Sequence, residues 1–310
     1  MSFKPCPENV IYRRNDPNDL RIGDLLFNKK PHDCEFILAG YPDDEGIKLN
    51  GGRPGAAEGP NAIRNRLSRM TVDRPANEFP IYYDIGNLNI EEGNLEERHK
   101  EVLQVGYSFL KQNKKWIGLG GGHDFGYPDG AAFLKAYSEK KPVVINFDAH
   151  LDVRPLDKGL TSGTPFYRLL SEFPNFDFYE IGIQDECNSI NHKKWCFEMG
   201  AKVLNYSQIY NSSSTPLNNI CNFLEELKHS KRPTFISLDI DVFSASYAMG
   251  CSQSWPMGLT ANDFQLVFSF LLENLDIRSL GIYEVSPPLD SDDRTSKLAA
   301  QIIYRYLQYG

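Results

Sequence analysis

The sequence predicts an α/β fold, a three-layer sandwich around a central, mostly parallel sheet. Short β-rich runs alternate with helical stretches along most of the 310 residues. The central runs, such as Val143-Val144-Ile145-Asn146-Phe147, are almost continuously apolar, as strands covered by helices on both faces are. No repeat, low-complexity tract or long linker offers a place to divide the chain. Residues 1–310 are therefore read as one domain, with 1–33 as an N-terminal extension.

In chain order the pattern predicts a strand over 35–39, then a helix over 60–70, where Pro60 suits a first helical turn. A strand over 81–85, a helix over 95–112, a strand over 116–119 and a helix over 129–137 follow. Strands are predicted over 142–147, 176–183 and 201–204, then a helix over 216–229 and a strand over 234–238. The last three elements are a helix over 261–272, a strand over 279–283 and a helix over 295–306. Phe264, Phe268 and Phe270 on the penultimate helix are read as core. The acidic run Asp43-Asp44-Glu45 is expected in a solvated loop, with a place at the border of the pocket as the alternative, and His32, His99, His192 and His229 are expected to be solvated.

Composition excludes several classes. Hydrophobic residues at 41% and charged residues at 24% are ordinary globular usage, against a disordered, collagenous or membrane-embedded chain. With 33 Lys+Arg against 41 Asp+Glu the formal charge is -8, the wrong sign for a protein that neutralises nucleic-acid phosphates. Apolar windows such as 264–272 fall well short of the ~20 residues that span a bilayer. The six cysteines are scattered, without C-x-x-C spacing or an N-terminal secretion signal, so reduced thiols and a cytoplasmic location are expected.

Ligands in such folds sit beyond the carboxyl ends of the strands. Three predicted strands deliver Asp or His there: Gly120-Gly121-Gly122-His123-Asp124, Asp148-Ala149-His150-Leu151-Asp152 and Asp239-Ile240-Asp241. If extended geometry persists past the strand, Asp148, His150 and Asp152 project to one side, as do Asp239 and Asp241. Four carboxylates converging without cations would repel one another and raise their pKa values. Four Asp charges balance two divalent ions, and carboxylates with some imidazole suit Mn²⁺ better than a thiolate metal. More ligands than one ion takes point to a pair of ions roughly 3.5 Å apart. The glycine run lacks both the G-x-G-x-x-G and the G-K-[ST] pattern of nucleotide sites.

These three blocks, with Gly52-Arg53-Pro54-Gly55, Gly59-Pro60 and Ile63-Arg64 upstream, resemble the ureohydrolases: arginases, agmatinases and formimidoylglutamases. The resemblance implies an arginase-like sandwich and two Mn²⁺ per subunit. It puts His123 and Asp152 on one ion, His150 and Asp241 on the other, and Asp148 and Asp239 across both. Two departures count against arginine or agmatine as substrate. The loop 153–166 lacks the further His that arginases carry, and Ser244-Ala245 stands where Asp-Pro follows the last Asp pair. Ser162-Gly163-Thr164-Pro165-Phe166 and Ile181-Gly182-Ile183-Gln184 look like the formimidoylglutamase branch. That branch hydrolyses N-formimidoyl-L-glutamate to L-glutamate and formamide in histidine degradation. The alternatives are a guanidine hydrolase releasing urea and a non-catalytic, metal-binding family member.

The resemblance further implies Asp152 as the proton carrier and Glu284 as the partner of the cationic formimidoyl head. Arg154, two residues past Asp152, is a candidate to grip the glutamate carboxylate, because a guanidinium can do so bidentately. Ser162, Thr164 and Asn188 are candidates for the amino-acid end, and Arg53 is left unassigned. The expected partners are a small amidine substrate and further copies of the chain, with no nucleic acid and no membrane.

Overall fold

A computed structural model describes residues 3–26 and 29–309; residues 1, 2, 27, 28 and 310 of the predicted domain lie outside the described residues. In chain order the elements begin β1 (Phe3–Lys4), α1 (Ile22–Leu25), β2 (Phe36–Gly40), α2 (Glu45–Leu49), α3 (Gly59–Ser68), β3 (Tyr82–Leu88) and α4 (Leu95–Lys111). The middle of the chain forms β4 (Lys115–Leu119), α5 (Gly126–Tyr137), β5 (Val143–Phe147), α6 (Pro165–Glu172), β6 (Asp177–Ile183) and α7 (Ile190–Glu198). It continues with β7 (Lys202–Asn205), α8 (Tyr206–Ile209), α9 (Pro216–Phe223), β8 (Pro233–Asp239), α10 (Ala261–Asn274), β9 (Asp276–Tyr283) and α11 (Arg294–Gln308).

Among the described residues nine strands form one sheet in the order β1-β3-β2-β4-β9-β8-β5-β6-β7. Every pairing is parallel except that of β1, a two-residue edge strand antiparallel to β3. The eight predicted strands all occur, with ends within three residues of expectation. Alternate residues of β5 face opposite layers. Val143, Ile145 and Phe147 join the core under α3, α10 and α11, while Val144 packs with Trp116, Phe133 and Leu169 under α4, α5 and α6. Phe264 and Phe268 are in the first of these cores, and Phe270 packs against it half-buried.

The predicted helix over 216–229 ends at Phe223, and a 3-10 turn at Glu225–Leu227 then buries Leu227. The helices that pattern reading did not find are short, from the four residues of α1 and α8 to the nine of α7. A helical apolar period is hard to see over so few positions. Part of the N-terminal extension is tied to the body of the fold. The Tyr12 amide donates to Ser68 Oγ at 3.0 Å, and the Ile22 amide to the Met70 carbonyl at 3.0 Å. Among the described residues no helix is long and apolar enough to cross a membrane, and the six cysteines are unpaired.

Candidate metal centre

The three motif-bearing strands are not contiguous. β9 lies between β4 and β8 and ends at Tyr283, so Glu284 emerges between His123 and the Asp239–Asp241 segment. β5 and β8 are neighbours, with Phe147 opposite Leu238, which brings Asp148 beside Asp239.

Past the strand ends the chain turns instead of staying extended. β5 finishes at Phe147, and the His150 amide donates to Asp148 Oδ1 at 2.6 Å, bending the segment back on itself. Asp152 then takes a left-handed backbone, φ 47°. After β8 the Asp241 amide donates to Asp239 Oδ1 at 2.9 Å, capping a 3-10 turn at Ile240–Val242. Extension was therefore the wrong route to convergence, because each leading Asp offers its own backbone a better hydrogen bond two residues on. Glu284 is left-handed as well, φ 66°, with its amide donating to the Gly121 carbonyl at 2.8 Å. Left-handed non-glycine backbone is costly and is held here by surrounding contacts.

The side chains nevertheless meet. His123 Nδ1 lies 3.1 Å from Asp148 Oδ2, 3.0 Å from Asp152 Oδ2 and 3.2 Å from Asp239 Oδ2. His150 Nδ1 lies 3.0 Å from Asp241 Oδ2 and 3.5 Å from Asp148 Oδ1. Two groups able to hold a cation result: His123, Asp148, Asp152 and Asp239, and next to it Asp148, His150 and Asp241. Asp148 belongs to both through its two oxygens, whereas Asp239, expected across both, joins the first group only.

The donor set fits a pair of divalent ions. His123 Nε2 sits 2.9 Å from Ser237 Oγ, while the buried Nδ1 has no hydrogen-bond partner among the described residues. A proton on Nε2, donated to the serine, leaves the Nδ1 lone pair aimed at the carboxylates, the tautomer a metal requires. Without a cation the charges are poorly matched. Burial, then the neighbouring carboxylates, pushes Asp152 and Asp239 up, and burial raises Asp241 to about 6. Burial would lower His123 and His150, yet the carboxylates around them hold both well above the usual imidazole range. Burial opposes ionisation of Asp148, but the two imidazoles hold it well below the usual carboxylate range. Bound cations would replace those protons.

A cleft of about 270 Å³ opens over the centre. Glu284 lines its floor, its Oε1 accepting from the His123 amide at 3.1 Å; burial and the charge of Asp239 push its pKa well up. Arg154 lines the cleft and is exposed, with Nη1 donating to Asn50 Oδ1 at 2.8 Å. Ser162 lines it too, its Oγ accepting from Asn50 Nδ2 at 3.1 Å. Asn188 borders the cleft but spends its amide on backbone. Oδ1 accepts from the Leu151 amide, and Nδ2 donates to the Ala149 and Gln184 carbonyls, each at 2.8 Å. Thr164 is not among the lining residues; its hydroxyl donates to the Thr161 carbonyl at 2.8 Å inside its own turn.

Other expectations require correction. His99 is buried, not solvated, because Asp124 Oδ2 waits 2.8 Å from its Nε2. His192 is half-buried and lines the cleft. Asp43 and Asp44 are buried instead of lying in a solvated loop: Arg98 pairs with Asp43 at 2.9 Å, and Asp44 accepts from the Gly55 amide at 2.7 Å. Arg53 anchors its loop by donating to the Ser252 and Cys251 carbonyls. Sequence reasoning missed Ser237, whose place two residues before Asp239 on the same strand face was the available signal. It also missed Asn50, Cys187, Gln253 and Trp255 in the cleft wall, for which no local signal exists.

Comparison with known proteins agrees with this geometry. The arginase family model matches residues 34–308. The formimidoylglutamase of Staphylococcus epidermidis is 30% identical over 271 residues, 87% of this chain and 85% of that protein. That of Streptococcus gordonii is 31% identical over 296 residues, 91% and 86% of the two chains. Among solved structures, Trypanosoma cruzi formiminoglutamase with Mn²⁺ superposes with a TM-score of 0.81 at 26% identity, covering 94% of this chain and 98% of its own. Bacillus subtilis formimidoylglutamase gives 0.84 at 25% identity, covering 96% and 94%. Sheet order, the paired His/Asp groups and the sequence match together make this chain a member of the arginase family.

Proposed function

We propose that this chain is a dinuclear manganese hydrolase that converts N-formimidoyl-L-glutamate to L-glutamate and formamide. The observation that carries the reading is the pair of His/Asp groups sharing Asp148 on the cleft floor, in a chain whose relatives are formimidoylglutamases. Mn²⁺ is the ion in the Trypanosoma cruzi structure. His123, Asp148, Asp152 and Asp239 would hold one ion, and Asp148, His150 and Asp241 the other. Bound there, two such ions would supply Lewis-acid chemistry and make water ionisable at neutral pH by lowering its pKa to about 7, far below that of bulk water.

The remaining work falls to side chains of this protein. Glu284 faces the cleft from beneath, and an amidinium set against its carboxylate forms strong, directional charge-assisted bonds. Those bonds orient the formimidoyl carbon over the floor, and the cation favours the ionised form of a carboxyl that burial disfavours in that form. Asp152, on the floor with one oxygen toward His123, takes the proton still carried by the attacking hydroxide and passes it to the departing amine. Arg154 meets a substrate carboxylate at the cleft wall, well placed for the end of the molecule that does not react. Ser162 hydrogen-bonds that same end.

Purified protein loaded with Mn²⁺ and given formimidoylglutamate is expected to release formamide and glutamate in equal amounts. Release of urea from arginine, agmatine or a guanidino acid, without formamide from formimidoylglutamate, would overturn the substrate. Manganese-loaded protein inert to every amidine and guanidine would overturn the reaction.

A further inference from the structure

Tyr283, the last residue of β9, lies face to face with the imidazole of His123, ring centroids 4.8 Å apart and planes 24° from parallel. Phe166 meets the same imidazole edge-on at 5.4 Å. The Tyr283 hydroxyl donates to Asp129 Oδ2 at 2.6 Å. Asp129, fully buried in α5, accepts at its other oxygen from the Tyr41 hydroxyl at 2.6 Å and from Trp116 Nε1 at 2.8 Å. Three donors on one buried carboxylate make a satisfied, rigid network.

The backbone is cut away to admit it. A Cβ on Gly120 would stand 2.2 Å from Tyr283 Cδ1, and one on Gly281 1.9 Å from its hydroxyl oxygen. A Cβ on Gly118 would stand 2.3 Å from Asp129 Oδ2. Gly120, just past β4, and Gly281 in the adjacent β9 thus form a slot that a tyrosine ring fills with its hydroxyl fixed at the far end, where Gly118 makes room for Asp129.

We propose that Asp129 and Tyr283 are positioning residues for the metal centre: the anchored ring fixes the plane of the His123 imidazole. Ser237 holds Nε2, Phe166 closes the edge and Gly126 packs so near that a Cβ there would stand 3.1 Å from the ring, while the Tyr283 ring, stacked on the imidazole face, opposes its tilting. Tilting would swing Nδ1 away from Asp148, Asp152 and Asp239. Because Glu284 follows directly, the same anchor steadies its left-handed backbone. The role rests on His123 being a metal ligand. Removing the partners that orient a ligating histidine typically costs 10- to 100-fold in metal affinity.

The test is Mn²⁺ titration of the metal-free full-length protein by calorimetry, comparing wild type with Tyr283→Phe, Asp129→Asn and Tyr41→Phe. Tyr41→Phe is the control. It removes a bond from the same carboxylate, but the Tyr41 ring stacks on Phe125 at 4.9 Å, not on His123. Tyr283→Phe and Asp129→Asn are expected to weaken one of the two ions by about 10- to 100-fold, with Tyr41→Phe within about twofold of wild type. Asp129→Asn keeps the volume and an acceptor, so it carries the test should Tyr283→Phe fold poorly. Equal affinities in wild type and both variants would overturn the role. So would equal weakening in all three variants, which would make the network core packing alone. Wild-type protein that binds fewer than two ions would refute the metal-centre reading and bring this role down with it.

Discussion

If the proposed pair of ions is bound, stripping the metal should cost this protein a large and calculable part of its thermal stability, because both would be held by side chains that only the fold brings together. A ligand at about a thousand times its dissociation constant stabilises by about 4 kcal/mol per site. Unfolding entropy of about 2.1 cal/mol/K per residue gives ~0.65 kcal/mol/K for 310 residues. Saturating Mn²⁺ is therefore expected to raise Tm by about 6 °C per ion, ~12 °C for the pair. The geometry divides that shift among variants. Asp148 faces both imidazoles, so Asp148→Asn should abolish nearly all of it. Asp241 belongs to the His150 group alone, so Asp241→Asn should keep the half due to the first ion. Scanning fluorimetry with EDTA and with Mn²⁺ reads all three proteins. A wild-type shift of a degree or two, or a full shift in Asp148→Asn, would refute the shared-carboxylate geometry.

Three further outcomes follow from the same contacts. With His123, His150, Asp152, Asp239 and Asp241 all raised, the metal-free fold holds more protons than the unfolded chain, so its stability should fall as pH rises from about 5 to about 8. Asp148, lowered, acts oppositely but only below the usual carboxylate range, and saturating Mn²⁺ should reverse the slope; urea midpoints with EDTA that climb over this window would contradict the assignment. Arg154→Ala should raise KM for formimidoylglutamate with kcat within about twofold, since it removes binding remote from the reacting carbon; a change in Tm without a change in KM would make Arg154 structural. Asn188→Ala removes three bonds to the backbone around Ala149 and Leu151 and should cost about 2–4 kcal/mol in chemical denaturation, and an effect under about 0.5 kcal/mol would mean the loop holds itself.

The Asp and His residues that meet at the centre were legible because each follows an apolar run that reads as a buried strand. The groups that aim them were not, since they come from far along the chain. Asp129 lies 154 residues from Tyr283, and Ser237 lies 114 from His123. Strand order was equally hidden: nothing local announces that β9 inserts between β4 and β8. His99 and Asp43 read as solvated because polarity alone sets that expectation. Burial is decided by partners, Asp124 for the one and Arg98 for the other, that periodicity does not reveal.

The two aspartate motifs show why a cap and a ligand need not be rival readings of one residue. Asp148 and Asp239 each use Oδ1 to accept the amide two residues on, and each thereby turns the chain at its strand end. That bond fixes the carboxylate plane, and in both cases the remaining Oδ2 is left 3.1–3.2 Å from His123 Nδ1. β5 and β8 are adjacent and in register, so the same turn made twice sets two buried carboxylates side by side. Two isolated caps would not require that arrangement, since either turn could form with its second oxygen in water. Placing both oxygens against one buried imidazole nitrogen costs desolvation and like-charge repulsion that a turn alone cannot offset, and bound cations can.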